Sequence, residues 1–164
     1  MLPYFLSKDA LDLLELLAKH KVEYLLVGGV AVNYYGYTRS TGDLDIFFRI
    51  EEKNANHLFK ALEEFFGGFV PAVSSPEDLL APGTVVQFGI SPNRIDLINE
   101  ISGVTFEESW TKRVTEILRA SEEFEVPLIG IESLLENKKK ANRPKDQEDF
   151  QYLKALKEKK KGNI

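Results

Sequence analysis

The most constraining feature of this chain is a short apolar segment that runs directly into two consecutive glycines. Residues 24–27 read Tyr-Leu-Leu-Val, which predicts a buried strand. Gly28 and Gly29 stop that strand, and the following VAVNYY predicts two helical turns closed by Gly36. A strand, a tight glycine turn and a helix are therefore expected in immediate succession.

The segments around this unit predict further helices and strands. Ser7 is placed to cap a helix that ends near His20 and carries apolar residues at helical spacing. Residues 43–49 alternate like a strand and are followed by an amphipathic helix that Gly67 terminates. Residues 85–90 and 94–99 predict an antiparallel hairpin, and Thr105 with Glu108 matches a capping box for a short helix.

The second half of the chain completes the predicted fold. One or two strands are expected over 114–130, then helices over 131–142 and 144–158. The element order predicts an α/β (α+β) fold, in which a mixed β-sheet carries helices on one face and the C-terminus is helical. With no repeat or long linker, we expect one domain over 1–164, with a core at about 22–100 and C-terminal helices at about 131–158.

Composition limits the chemistry available to such a fold. The 164 residues include no cysteine and only two histidines, which excludes a thiolate nucleophile, disulfides and a Cys-ligated zinc site. A metal would therefore be held by carboxylates. The most apolar window, residues 22–37, falls short of a membrane span and the N-terminus does not resemble a signal peptide. We therefore expect a cytoplasmic protein without a membrane partner.

Two acidic residues open the second predicted strand. Asp43 and Asp45 are two positions apart, so their carboxylates leave the same face of the strand, while Leu44 and Ile46 point into the core. Two neighbouring carboxylates repel each other unless they are solvated or bind a cation, and a hard ion such as Mg²⁺ suits them. The pair is a weak signal alone, but it follows the glycine turn that would favour phosphates.

These segments resemble a known enzyme superfamily. VGGVAV (27–32) followed by RSTGDLDIFF (39–48) is similar to the nucleotidyltransferases of DNA polymerase β type, and more narrowly to minimal and abortive-infection-type toxin nucleotidyltransferases. The resemblance implies a glycine turn that holds a triphosphate, a first pair of carboxylates and a third carboxylate on a later strand. RIDLIN supplies the third as Asp96.

The C-terminal segment KKKANRPKDQEDFQYL (138–153) resembles the ending of the same family. The matching residues are Lys138, Arg143, Lys145, Asp146 and Asp149. Independently, helical spacing places Lys138 on the apolar face of its helix, where it needs an anion. One departure concerns Gly29, which stands where many members have a serine hydroxyl that would contact a phosphate.

The resemblance implies roles for nine residues of this chain. Asp43, Asp45 and Asp96 are the expected catalytic and metal-binding residues, with Mg²⁺ or Mn²⁺ as cofactor. The expected nucleotide-binding residues are Gly28, Gly29, Arg39, Thr41, Lys138 and Asp146. The implied reaction transfers a nucleoside monophosphate from a nucleoside triphosphate to a tRNA, protein or small-molecule acceptor, and the toxin-type members imply an antitoxin partner.

Charge distribution adds one expectation about partners. Residues 1–136 carry 11 basic and 22 acidic groups, or −11, whereas residues 137–164 carry 10 and 4, or +6. The basic segment is a candidate to recruit RNA, although lysines on a terminal helix are more often only a solvated face.

Structural alternatives remain open for these residues at the sequence level. The glycine pair also suits a plain tight turn, and Asp96 also suits a solvated sheet edge. Arg39 and Thr41 are equally compatible with ordering a loop, and Lys138 with Asp146 is equally compatible with a structural salt bridge. The alternative function is an inactive nucleotidyltransferase fold that binds a nucleotide or a protein partner.

Overall fold

The computed structural model describes residue 2 and residues 6–41 and 43–162. Its helices within these ranges are α1 (Lys8–Lys19), α2 (Gly28–Tyr34), α3 (Glu52–Phe66), α4 (Phe106–Thr111), α5 (Ile131–Ala141) and α6 (Pro144–Gly162). Its strands are β1 (Tyr24–Val27), β2 (Asp43–Phe48), β3 (Val85–Phe88), β4 (Arg94–Ile98), β5 (Val114–Arg119) and β6 (Glu123–Leu128). A short 3₁₀ helix, Pro76–Leu79, lies between α3 and β3.

The six described strands form one mixed sheet in the order β3-β4-β2-β1-β6-β5. β1 pairs antiparallel with β2 and parallel with β6, while β2 pairs parallel with β4. The predicted hairpin is confirmed as β3 and β4, and the stretch 114–130 forms a second antiparallel hairpin, β5 and β6. The predicted α/β (α+β) class with a mixed sheet is therefore confirmed.

The expectation that helices cover only one face of the sheet is wrong. All four residues of β1 are buried, and alternate side chains enter two separate apolar clusters. Tyr24 and Leu26 pack in the cluster that includes α1 and α3, whereas Leu25 and Val27 pack in the cluster that includes α5 and α6. Because successive side chains of a strand point to opposite faces, helices must cover both faces of β1.

Local sequence signals account for where several helices begin. The Ser7 hydroxyl accepts a hydrogen bond from the Ala10 amide, at 3.1 Å, and caps α1 as predicted. Thr105 and Glu108 form the predicted capping box of α4. Two helix boundaries differ from expectation: α2 includes the glycine pair in its first turn, and α6 continues to Gly162 rather than ending near residue 158.

Within the ranges given above, no helix has both the length and the apolar character needed to cross a membrane.

Candidate active site

The parallel pairing of β2 with β4 brings the three predicted carboxylates together. Asp45 lies opposite Asp96, and Asp43 lies opposite Arg94 at the start of β4. Leu44 and Ile46 are buried in the core on the other face, as the alternation predicted. Asp96 is itself buried, and β4 lies between β3 and β2, so the alternative of a solvated edge residue is wrong. The strand register therefore places three acids on one face of adjacent strands.

The environment of Asp45 changes the acidity of its carboxyl group. Its burial disfavours the charged form, and the negative charges of Asp96 and Asp43 add to that effect. Together they raise the pKa of Asp45 to about 6, although the positive charge of Lys138 opposes the change. Within the described part of the chain, no ion pair reaches the Asp45 carboxylate. Among the described residues, Asp45 therefore has no cation within ion-pair distance.

A residue that the sequence analysis did not select, Arg94, binds the other two carboxylates. Its Nε and Nη2 donate to the two oxygens of Asp96 at 2.8 and 3.0 Å, and its Nη2 also lies 2.9 Å from Asp43 Oδ2. Ser91 donates a hydrogen bond to the other oxygen of Asp43 at 2.7 Å. The hydrogen bond to Asp96 and the nearby acids raise the pKa of Arg94, so its guanidinium is charged.

The three carboxylates are chemically suited to a divalent cation, but Arg94 already bonds two of them. No three acidic or histidine side chains among the described residues stand in an arrangement that would ligate a metal. One guanidinium, that of Arg94, instead bonds carboxylate oxygens of both Asp43 and Asp96. Carboxylate oxygens on a partly solvated cleft are nevertheless the ligands that Mg²⁺ and Mn²⁺ prefer. Asp43, Asp45 and Asp96 are the residues that would hold such an ion.

The glycine turn lies directly against this acidic group. Gly28 has a φ of +65°, which favours glycine, and a Cβ placed there would lie 1.9 Å from Asp45 Oδ2. A Cβ at Gly29 would lie 2.4 Å from the Thr41 hydroxyl oxygen. The space next to Gly29 that a serine side chain would enter is thus already filled by Thr41. The two glycines allow the Asp45 carboxylate and the Thr41 hydroxyl to approach the backbone closely.

A network of charged side chains, most of them buried, faces the acids across the same space. We use the name basic network for the cations Arg39, Lys138 and Arg143 with the carboxylates Asp146 and Asp149. Arg39 binds Asp149 through two hydrogen bonds of 2.8 Å, and Lys138 lies 3.1 Å from Asp146 and 3.0 Å from Asp149. Arg143 completes the chain of contacts by binding Asp146 at 2.6 Å. Three cations against two carboxylates give the basic network a net charge of +1.

These contacts show how Lys138 meets its need for an anion. Its side chain is buried, as helical spacing predicted, and its partners are Asp146 and Asp149 rather than a solvent-exposed group. Burial opposes ionisation of Asp146, but hydrogen bonds from Arg143 and Lys138 outweigh it and lower the pKa of that carboxyl. The interhelical salt bridge is therefore present, and it joins α5 to α6.

Arg39 and Thr41 also order the loop between α2 and β2. The Arg39 amide donates to the buried side chain of Asn33 at 3.1 Å, and the Arg39 guanidinium donates to the Ser40 carbonyl. The Thr41 hydroxyl donates to the Asp43 carbonyl at 3.3 Å. The loop-ordering alternative is therefore observed for both residues, and the same contacts hold their side chains beside Gly29.

The acids, the glycine turn and much of the basic network border one cleft of about 880 Å³. It is lined by all nine residues singled out from the sequence: Gly28, Gly29, Arg39, Thr41, Asp43, Asp45, Asp96, Lys138 and Asp146. Asn137, Lys138 and Ala141 of α5 line one side of the cleft, so a helix borders the space above the three acids. The cleft has an acidic side on β2 and β4 and a basic side on α5, α6 and the loop before β2.

A second cleft, of about 940 Å³, lies beside α1, α4 and the β5–β6 hairpin. It is slightly larger, but none of the nine predicted residues lines it. The volume of a cleft does not indicate which groups could react in it. We therefore assign the candidate active site to the smaller cleft, where glycines, carboxylates and cations converge.

Sequence reasoning missed Arg94 and gave Arg143 and Asp149 no role in the site. The period-two pattern of RIDLIN does place Arg94 on the same face as Asp96, which was an available signal. Its contact with Asp43 depends on the parallel register of β2 and β4, which local sequence does not specify.

Comparison with protein families gives a match over residues 7–164. The matching family is described as "Nucleotidyl transferase of unknown function (DUF2204)". A comparison with curated proteins gives no match. Since the family match spans nearly all of the chain, the protein belongs to this nucleotidyl transferase family.

Proposed function

We propose, from membership of this nucleotidyl transferase family, that the protein transfers a nucleoside monophosphate from a nucleoside triphosphate to an acceptor hydroxyl, with Mg²⁺ or Mn²⁺ as cofactor. The family supports nucleotidyl transfer in general. The observation that carries the fuller proposal is the two-sided cleft, in which three carboxylates face a glycine turn and the basic network. A metal–triphosphate complex has the complementary charges, because its cation suits the acidic side of the cleft and its phosphates suit the basic side.

Each side of the cleft has a distinct task in this proposal. The triphosphate is held by the backbone at Gly28 and Gly29, with Arg39 and Lys138 beside it. Asp43, Asp45 and Asp96 would hold the divalent ion. When bound, that ion would polarise the α-phosphate and neutralise charge on the leaving pyrophosphate.

The reaction itself exchanges one phosphate ester bond for another. The acceptor oxygen forms a bond to the α-phosphorus, the bond between the α-phosphorus and the β-phosphate oxygen breaks, and pyrophosphate leaves. Asp96 is our candidate to take the proton of the acceptor hydroxyl. Its fixed position on β4, opposite Asp45, supports this assignment.

The sequence motifs support a proposal about which group of nucleotidyltransferases the protein belongs to. The glycine turn, the acid pair and the third acid support the DNA polymerase β type, and the Lys138–Asp149 segment supports the toxin-type members. On that basis we propose a tRNA or a protein as acceptor, with a small molecule as the other class, and an antitoxin as the partner that restrains the enzyme.

Label transfer tests the proposal. The protein is incubated with Mg²⁺, each α-labelled nucleoside triphosphate in turn, and bulk tRNA, mixed proteins, aminoglycosides or lincosamides as acceptors. We expect label on one acceptor class with wild-type protein and its loss in Asp43→Asn. No label on any acceptor, with wild type and Asp43→Asn indistinguishable, would count against an enzyme.

A specific observation favours the alternative of a nucleotide binder without turnover. Arg94 already neutralises part of the acidic group, which is what a protein that works without metal would need. Thermal unfolding separates the two functions: an enzyme should be stabilised by nucleotide with Mg²⁺ more than by nucleotide alone, and Asp45→Asn should remove that difference. Equal stabilisation with and without Mg²⁺ would favour the binder.

An RNA acceptor has a candidate contact surface on the last two turns of α6. Leu153 is the last buried residue of that helix, and the basic residues beyond it are largely exposed. Lys157 contacts Glu132 at 3.1 Å, so its charge is partly neutralised. If this segment binds RNA, each lost phosphate contact should lower the slope of log affinity against log salt by about 0.7 for a single strand.

Glutamine substitution of four lysines tests this role: Lys157, Lys159, Lys160 and Lys161. We expect a salt slope flatter by about 2, measured by filter binding, because Lys157 contributes little. The exposed pair Lys53 and Lys60 on α3, also changed to Gln, is the control. RNA affinity that is absent at low salt, or a slope unchanged by the four substitutions, would remove RNA recruitment from the proposal.

A further inference from the structure

Arg94 occupies a singular place in the cleft because it contacts two of the three carboxylates. It begins β4, two residues before Asp96 and on the same face of the strand. Three charge-assisted contacts of 2.8 to 3.0 Å join its guanidinium to both oxygens of Asp96 and to Oδ2 of Asp43. Since only about a third of its side chain is exposed, these contacts are partly shielded from water.

These contacts use the oxygens that a divalent ion would need. Mg²⁺ binds carboxylate oxygens at about 2.0–2.1 Å, well inside the reach of an N–H donor. Ser91 engages the remaining oxygen of Asp43, so both oxygens of that residue already have partners. A cation that joins Asp43 to Asp96 therefore competes with the Arg94 guanidinium for the same two carboxylates, and repulsion between the two positive groups opposes their binding together.

Charge explains why such a group is present. Asp43, Asp45 and Asp96 lie at adjacent positions of neighbouring strands, where three ionised carboxylates repel one another. In the protein without metal, Arg94 offsets one of these charges. Among the described residues, Arg94 bonds to Asp43 and Asp96 and makes no direct bond to Asp45.

We propose that Arg94 is an exchangeable counter-cation, which holds Asp43 and Asp96 in the metal-free protein and is displaced when a divalent ion binds. The inference rests on the proposed function for the identity of the ion. It makes Arg94 a residue that weakens the affinity for metal alone, because every binding event must break its three contacts. Arg94 is thus a positioning residue that acts through the carboxylates.

Metal affinity without nucleotide tests this directly. Mn²⁺ is titrated into folded protein and its dissociation constant is measured by calorimetry or by the electron paramagnetic resonance signal of free Mn²⁺. Arg94→Gln should bind Mn²⁺ about tenfold more tightly than wild type, which corresponds to about 1.4 kcal/mol. Arg94→Lys keeps the positive charge but loses the planar fork, so it should also bind Mn²⁺ more tightly than wild type.

A matched variant separates displacement from simple charge removal. Lys145 lines the same cleft and is exposed, and Lys145→Gln removes one positive charge without touching the three carboxylates. We expect its affinity for Mn²⁺ to stay within about twofold of wild type. Circular dichroism spectra of all variants confirm that each compared protein is folded.

The outcomes are distinct from those of the proposed function. Tighter binding by both Arg94 variants, with Lys145→Gln close to wild type, supports the counter-cation. Equal or weaker binding by Arg94→Gln, a change no larger than that of Lys145→Gln, or no Mn²⁺ binding by wild type and Arg94→Gln would overturn it. Failure of the proposed function appears separately, as the absence of α-label transfer by wild-type protein.

Discussion

Replacing Asp45 with Asn should make the metal-free protein more stable at neutral pH, although the substitution removes a candidate catalytic residue. Burial, followed by the charges of Asp96 and Asp43, raises the pKa of Asp45 from 3.8 to about 6. A difference of about two pKa units corresponds to about 3 kcal/mol at a pH where the carboxyl is fully ionised. Because the side chain is only partly buried, we expect about 2 kcal/mol.

The sign of the pH dependence follows from the direction of this shift. The folded protein holds the Asp45 proton more tightly than the unfolded chain does, so wild-type stability falls as pH rises from about 4 through 6. Asn does not ionise and avoids this loss. The advantage of Asp45→Asn should therefore be absent at pH 4, grow between pH 4 and 6, and be complete above about pH 7.

Thermal unfolding in EDTA at pH 4 and pH 8 measures this effect. For a chain of this size, about 2 kcal/mol corresponds to an increase in Tm of about 4–8 °C at pH 8. Asp9→Asn is the control, since it removes one charge from an exposed site in the first turn of α1 and should lower Tm slightly. An Asp45→Asn protein no more stable than wild type at pH 8, or equally stabilised at both pH values, would refute the reasoning.

Two further substitutions test the parts of the cleft that surround the acids. Asp149→Asn should lower the free energy of unfolding, measured in urea, by about 3–5 kcal/mol, because Asp149 is fully buried and Arg39 and Lys138 would both lose its negative charge as a partner. A loss below about 1 kcal/mol would contradict this. A positive φ alone costs an alanine about 1–2 kcal/mol. Gly28→Ala should lower stability by more than this, since the new Cβ would meet the Asp45 carboxylate. Gly67→Ala has a similar φ of +72° with open space around it, so equal losses in both glycine variants would show that contact with Asp45 is unimportant.

Much of the fold could be predicted because its signals are local. The apolar run of β1, the Ser7 cap and the Thr105–Glu108 capping box each specify an element through neighbouring residues, and all three are confirmed. The C-terminal end of α6 is less well specified, because its lysine-rich last turns have good helix propensity and contain no clear stop before Gly162. Coverage of both sheet faces was missed because a four-residue apolar run is compatible with burial on one face or two.

In the candidate site, too, the features that depend on local sequence could be predicted and the contacts between distant segments could not. Asp43 and Asp45 share a face through the two-residue period of a strand, and Lys138 faces inward through the period of a helix, so both could be predicted locally. Contacts between distant segments could not. The approach of Thr41 to Gly29 and the bond from Arg94 to Asp43 depend on how a loop and two strands are placed in space.

The fate of the individual phosphates tests the central claim most directly. Wild-type protein and Asp45→Asn are compared with one responsive acceptor, Mg²⁺ and a nucleoside triphosphate labelled at either the α- or the γ-phosphate. We expect the wild-type protein to transfer the α label to the acceptor and to release the γ label only in pyrophosphate, and we expect Asp45→Asn to catalyse neither step. Transfer of the γ label to the acceptor, or α-label transfer that survives in Asp45→Asn, would contradict nucleotidyl transfer by these carboxylates.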